Sequence, residues 1–469
     1  MNRLSSPQTR FTPMGVFLWG LIILVVATLI IMPFTGGKSV ISLLHSNPTD
    51  TFMDFFNSIH DAAFDNPYTA RGVIYPPLTY LYYRLCGMAL PPIEPSTDPN
   101  TAWYNAHLWQ SSQSGMILVA VTTVLSYLLL IHALLPRERR MDPSARRLTF
   151  WVVLGTVPFW YAIERGNLII LTLAFLAYFV SNYKSENPVR RELALVSLAA
   201  AVSFKIYPVL FGLLLLKDKK FFAALRCAVY GIVLIFVPFI FFGGLDSALV
   251  MVNNILNTSS AMTTYGWGYK VDLGNTLSFM AACLHTLPRL TRGIKFAFIL
   301  ITVLVFLFSK KDWQRYMALS AAMIIFPGFS YTYTLVFAAI PLLVFLREKP
   351  AATTFNLLYA FLFLGMFAPF PLGGAKLFEG EPANFYQLNL TTIISSFSIL
   401  AMLMAMAVDT VIGSVQTLRE KKHLHPAVTA TADWSSLLRF LAIVMLLLAG
   451  LSAFCLYSNH LYNLDIMPL

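Results

Sequence analysis

The chain has 469 residues, of which 57% are apolar and only 12% charged, and its net charge is +11. Soluble globular domains carry about 25% charged residues, so the composition excludes a water-soluble domain of any size. What it implies is an all-α polytopic membrane protein, one integral domain over residues 1–469.

The first apolar run, Met14 to Phe34, is too long for the core of a signal peptide. No small-x-small cleavage site follows it, so it reads as a retained anchor. A polar and aromatic loop over residues 35–113 comes next. Further spans are expected near 114–135, 149–163, 168–181, 193–204, 206–216, 224–243, 294–309, 315–329, 334–346, 353–371, 388–412 and 436–456, about thirteen in all. A second large loop covers residues 244–293. With the amino terminus in the cytoplasm, 23 of the 33 Lys and Arg fall on the inner side, against 10 of the 22 acidic residues. This is the positive-inside pattern, and it accounts for the basic charge without nucleic acid as a partner. It also places both large loops and the carboxy terminus outside a plasma membrane.

Two of the apolar stretches are interrupted. LALVSLAAAVSFKIYPVLFGLLLL breaks at Lys205-Ile206-Tyr207-Pro208, because a proline removes a helix hydrogen bond and clashes with the preceding turn. A dozen residues rise only about 18 Å of a roughly 30 Å core, so the turn is expected at membrane depth. Irregular backbone there is tolerated only against protein or a wet cavity. The stretch from Thr149 to Val180 repeats the pattern, with Glu164-Arg165-Gly166-Asn167 at its turn. Both turns face the same side as the first loop.

That loop carries TDTFMDFFNSIHDAAFDNPYTARGVIYPPLTYLYY. Phe52, Phe55, Phe56, Ile59, Ala62 and Ala63 have helical spacing, which gives a greasy face suited to the bilayer surface. Asp54 and Asp61 lie within about 20° of each other on the opposite face, two turns apart, with Asn57 between them. The bland reading is a solvated polar face. Tyr75-Pro76-Pro77 and Tyr80, Tyr82 and Tyr83 follow at once, and tyrosines of that kind sit at headgroup level. Lys205 is either a snorkelling lysine or a partner for an anionic phosphate, since ionisable groups inside a membrane are functional candidates by default. Arg165 pairs with Glu164 or binds phosphate. Lys270, among Tyr265, Trp267 and Tyr269, and the pair Tyr331 and Tyr333 are interfacial anchors or sugar platforms. The four cysteines, His60 and His107 lack ligand spacing, so no metal site is expected. With no nucleotide-binding motif either, no cofactor is identified, and an activated donor, if one is used, must be supplied from elsewhere, with lipid the obvious carrier.

Asp54-Phe55, Asn66-Pro67-Tyr68, Tyr75-Pro76-Pro77-Leu78, Arg165-Gly166-Asn167 and Lys205-Ile206-Tyr207-Pro208, in that order, resemble glycosyltransferase family 87. These are polyprenyl-phosphate-sugar-dependent, mannosyltransferase-like enzymes of the multi-span GT-C architecture. The resemblance implies transfer of a hexose from a polyprenyl-phosphate donor to a lipid or glycan acceptor, with inversion, at the outer face of a bacterial plasma membrane. It casts Asp54 as general base and Lys205, Arg165 and Lys270 as donor-phosphate ligands. Asn57, Asp61, Tyr75, Asn167, Tyr207, Tyr331 and Tyr333 become candidates to position donor and acceptor. The rival reading is a polytopic lipid or sugar transporter or flippase, which the interrupted spans also suit but which gives the acidic, aromatic loop no role.

Overall fold

The computed structural model describes residues 12–41, 43–44, 48–135, 143–261, 270–277, 288–328, 330–370, 374–376 and 387–421. The expected last span at 436–456, the carboxy terminus, and Tyr265, Trp267 and Tyr269 lie outside these residues.

The protein is mainly helical. Helix α1 (Pro13–Phe34) opens with Thr12 accepting from the Gly15 amide and with proline in its first turn, which suits a position that has no helical acceptor for its N–H. The first loop then folds as α2 (Lys38–Ile41), α3 (Met53–Ala62), α4 (Pro67–Arg71), α5 (Pro77–Gly87) and α6 (Pro99–Gln110). Three of these begin on proline, and Asn66 and Asp98 cap α4 and α6 through their side chains. Helix α7 (Gln113–Leu134) follows, then α8 (Pro143–Gly155), α9 (Val157–Arg165), α10 (Ile169–Asn182) and α11 (Pro188–Phe204). A 3₁₀ segment, Tyr207–Gly212, leads into the short α12 (Leu213–Lys217). Next come α13 (Phe221–Phe236), prolonged by a 3₁₀ turn to Phe241, and α14 (Asp246–Ala261) inside the second loop. Then α15 (Pro288–Phe308) and α16 (Asp312–Ile325) lead to a 3₁₀ segment, Thr332–Ala338, which runs into α17 (Ala339–Arg347). The described part closes with α18 (Thr354–Phe367), an antiparallel pair of three-residue strands, β1 (Gly374–Lys376) and β2 (Gln387–Asn389), and α19 (Leu390–Lys421).

Among the described residues four helical segments are long and apolar enough to cross a membrane: Pro13–Phe34, Gln113–Leu134, Phe221–Phe241 and Thr391–Val415. Their outer faces suit lipid. Trp19, Ile23, Val26 and Leu29 on α1 and Ile117, Val121, Val124 and Leu128 on α7 are exposed, and α13 buries none of its residues. Other expected spans are shorter apolar helices, so the count of thirteen crossings is not reproduced. Helix α10, with 14 residues, rises roughly 21 Å and cannot cross a 30 Å core alone.

The apolar interior forms two clusters. The larger unites α1, α7 to α11 and α15 to α19. The smaller one fills the first loop: Met53, Phe55, Phe56, Ile59 and Ala62 of α3 pack with Tyr80 and Tyr83 of α5 and with Trp109 of α6. The apolar face of α3 is therefore covered by protein, not laid on the bilayer. Tyr80 and Tyr83 are core residues and not headgroup anchors. Each such aromatic contributes about 1.5–3 kcal/mol on burial, and that holds the loop to the bundle. Leu168 and Phe204, neighbours of the two broken turns, belong to this same cluster.

Candidate active site

Helix α3 is preceded by Phe52, whose backbone is left-handed (φ 61°). That kink turns its amide onto the carbonyl of Glu164 at 2.6 Å. Gly166 also has positive φ (64°), and a Cβ there would lie 2.9 Å from the Phe55 Cβ. Glycine therefore serves twice at this turn, in the conformation and in the close approach of α3. The result brings the first turn of α3 against Arg165-Gly166-Asn167.

There Asp54 is gripped from two sides. Arg165 donates to its Oδ1 through Nη2 at 2.6 Å and Nε at 3.1 Å, and the Asn167 amide donates to Oδ2 at 2.8 Å. Arg165 also pairs with Asp50, Nη1 to Oδ2 at 2.5 Å. The expected alternative, an Arg165–Glu164 pair, is thus replaced by a guanidinium bridging two carboxylates. Asn167 is itself fixed, because its Oδ1 accepts from the Ile169 amide at 3.0 Å. Burial works against the Asp54 charge, but Arg165, Asn167 and Lys205 outweigh it and hold the carboxyl below the usual carboxylate range. The Asp54 side chain keeps 22% of its surface exposed, and among the described residues Oδ2 accepts only from Asn167.

Lys205 ends α11 and is 5% exposed. Its Nζ donates to the Tyr75 hydroxyl at 3.3 Å, 4.4 Å from the centre of the Tyr75 ring and 5.8 Å from that of Tyr333. These are cation–π distances, favourable for a desolvated ammonium. Burial and the Asp54 charge keep the Tyr75 phenol well above its ordinary pKa. A cavity of about 520 Å³ opens here, lined by Tyr75, Lys205, Tyr207 and Tyr333 with apolar Ile255 and Phe326. Tyr331 packs against Tyr333 in a tilted arrangement, with ring centres 5.7 Å apart.

The expected residues therefore divide. Asp54, Arg165, Asn167, Tyr75, Lys205, Tyr207, Tyr331 and Tyr333 come together. Asp61 does not: it pairs with Arg71 at 3.0 Å, two helical turns from Asp54. Asn57 is exposed on the outer surface of α3. Lys270 meets the site through its backbone, which bridges to Tyr331, while its carbonyl accepts from Asn275 at 3.0 Å. Burial lowers its amine to about 8 and raises neighbouring Asp272 to about 6. Asp50 is the site residue the sequence reading missed. Among the described residues no cluster of His, Cys, Asp and Glu has the form of a metal site.

The model of glycosyltransferase family 87 matches residues 74–367, more than half of the chain. The chain belongs to that family. The match covers Tyr75, both interrupted turns, Lys270 and the Tyr331–Tyr333 pair, and it begins after Asp54. No curated protein matches the chain. Family 87 membership, with the apolar helices, makes it a membrane glycosyltransferase, with a sugar donor and an acceptor as substrates.

Proposed function

We propose that the protein moves a hexose from a polyprenyl-phosphate donor to a hydroxyl of a lipid or glycan acceptor, by a single inverting displacement at the extracytoplasmic face. The observation that supports this reading is a carboxylate brought near a buried ammonium by the two interrupted turns. Asp54 is held by Arg165 and Asn167, and Lys205 donates to the Tyr75 hydroxyl at the cavity wall.

In the proposed step the acceptor oxygen attacks the anomeric carbon and its proton passes to Asp54 Oδ2. The bond from the anomeric carbon to the phosphate oxygen breaks, and its electron pair leaves with the polyprenyl phosphate. Lys205 offsets the charge that develops on that phosphate, and the neutral Tyr75 hydroxyl can donate to it. Donors aimed at developing charge in a water-poor site commonly contribute ~10² to 10³ in rate each. Arg165 is occupied by two carboxylates and serves to position Asp54. The apolar wall of the cavity suits the first isoprene units.

The test is to incubate purified protein in liposomes with labelled polyprenyl-phosphate hexoses and an acceptor extract. The reading expects donor consumption and an inverted product with wild type, and both slowed by about 10²–10⁴ with Asp54→Asn. Labelled sugar crossing the membrane on an intact carrier would instead identify a transporter.

A further inference from the structure

A second cavity, of about 510 Å³, lies at the opposite end of α10 from the Asp54 site, between the last turns of α7, α10 and α17 and the first turn of α11. The 14 residues of α10 separate the two cavities by roughly 20 Å. Its walls carry Lys184, Arg190, Arg347 and His132 together with Asn182 and Ser185, and among the described residues no carboxylate lines it. Lys184 is partly neutralised from behind by Asp218 at 3.1 Å and Asp312 at 3.7 Å. Among the described residues Arg347 meets only neutral acceptors, donating to the Leu134 carbonyl at 2.8 Å and the Thr149 hydroxyl at 2.7 Å. Its buried Nε has no acceptor among the described residues.

A buried guanidinium N–H without an acceptor is costly, and cationic walls that no carboxylate faces among the described residues attract anions. The volume falls in the range of small-molecule pockets, roughly 300–1,000 Å³. Basic pockets between membrane helices near the interface take anionic headgroups, and arginine matches phosphate through its planar fork. We infer that this cavity binds a phosphate-bearing anion, with Arg347 and Arg190 as its direct ligands and Lys184 as a supporting charge. The site is separate from the proposed donor cavity and does not depend on the reaction assigned there.

Purified protein in detergent would be tested by native mass spectrometry for retention of phosphatidylglycerol against phosphatidylcholine, and by thermal shift with inorganic phosphate. The double variant Lys184→Gln/Arg190→Gln alters exposed side chains only, and Lys219→Gln removes a charge near the same end outside the cavity. Retention of the anionic lipid should fall about fivefold for each charge removed from the cavity and stay unchanged in Lys219→Gln. A phosphate-dependent shift present in wild type and Lys219→Gln but lost in the double variant, without lipid preference, would assign the same site to a soluble phosphate compound. A double variant that keeps both responses, or a control that loses them equally, would overturn the inference.

Discussion

Asp54→Asn separates chemistry from architecture. The amide keeps the shape of the carboxylate and can turn its oxygen to Arg165, but it then presents an NH₂ to the NH₂ of Asn167. Asn167 cannot flip to accept without giving up its hydrogen bond to the Ile169 amide, a bond worth about 1 kcal/mol. Arg165 still has Asp50, so the fold should lose no more than roughly 1.5–3 kcal/mol, the value of a hydrogen bond to a charged group. The rate should suffer far more. General-base assistance contributes about 10²–10⁴, or roughly 2.7–5.4 kcal/mol of barrier. Initial rates of labelled hexose transfer should fall by that factor, while the donor KM stays within about threefold because Lys205 and Tyr75 are untouched. A folded variant with near-normal kcat would refute Asp54 as the base.

Lys205→Met keeps the length of the side chain and removes its charge; kcat/KM for the donor should drop about 10²–10³, and an unchanged value in steady-state kinetics would remove Lys205 from phosphate binding. Gly166→Ala places a Cβ 2.9 Å from the Phe55 Cβ in a left-handed residue, which costs at least about 1–2 kcal/mol. Its thermal midpoint and activity should both fall, whereas Gly231→Ala, with nothing near the added carbon, should be neutral or stabilising. The pH dependence has two parts of opposite sign. Asp54 is depressed, so its contribution to stability is present above the unfolded value and lost only as pH falls through its lower folded value, and the acid limb of activity should lie below about pH 3.9. Asp272 is raised to about 6 by burial, so the stability linked to it is full below about pH 3.9 and lost as pH rises through about 6. Thermal unfolding of Asp272→Asn should lack that decline.

The interrupted spans could be read directly, because Pro208 forbids a continuous helix and a charged residue at membrane depth needs protein or water around it. The position of Asp54 was legible for a similar reason, as the polar member of an amphipathic first turn. Angular reasoning failed at Asp61, which shares a helix face with Asp54 but sits about 10 Å further along the axis, where Arg71 reaches it. Periodicity marks a greasy face without saying what covers it, so α3 and the Tyr80–Tyr83 pair read as membrane-facing although protein encloses them. Asp50 carried no periodic signal. It precedes the helix, and only the left-handed backbone at Phe52 brings it to the guanidinium that holds Asp54.

The first loop and the broken spans are one unit, because the loop supplies the hydrogen bonds the breaks remove. In an unbroken helix the Phe204 carbonyl would accept from residue 208, but Pro208 has no N–H. The Thr79 hydroxyl of α5 donates to that carbonyl instead, at 2.8 Å, in a buried setting. The Phe52 amide likewise serves Glu164 at the other break. Thr79→Val keeps the side-chain shape and leaves the Phe204 carbonyl unpaired, a cost of about 1–3 kcal/mol placed one residue from Lys205. Thermal stability should fall by that amount and the donor KM should rise, while Thr79→Ser should restore both. Wild-type stability and KM in Thr79→Val would mean that the Lys205 turn holds its shape without the loop, and that the first loop does not set the position of the ammonium.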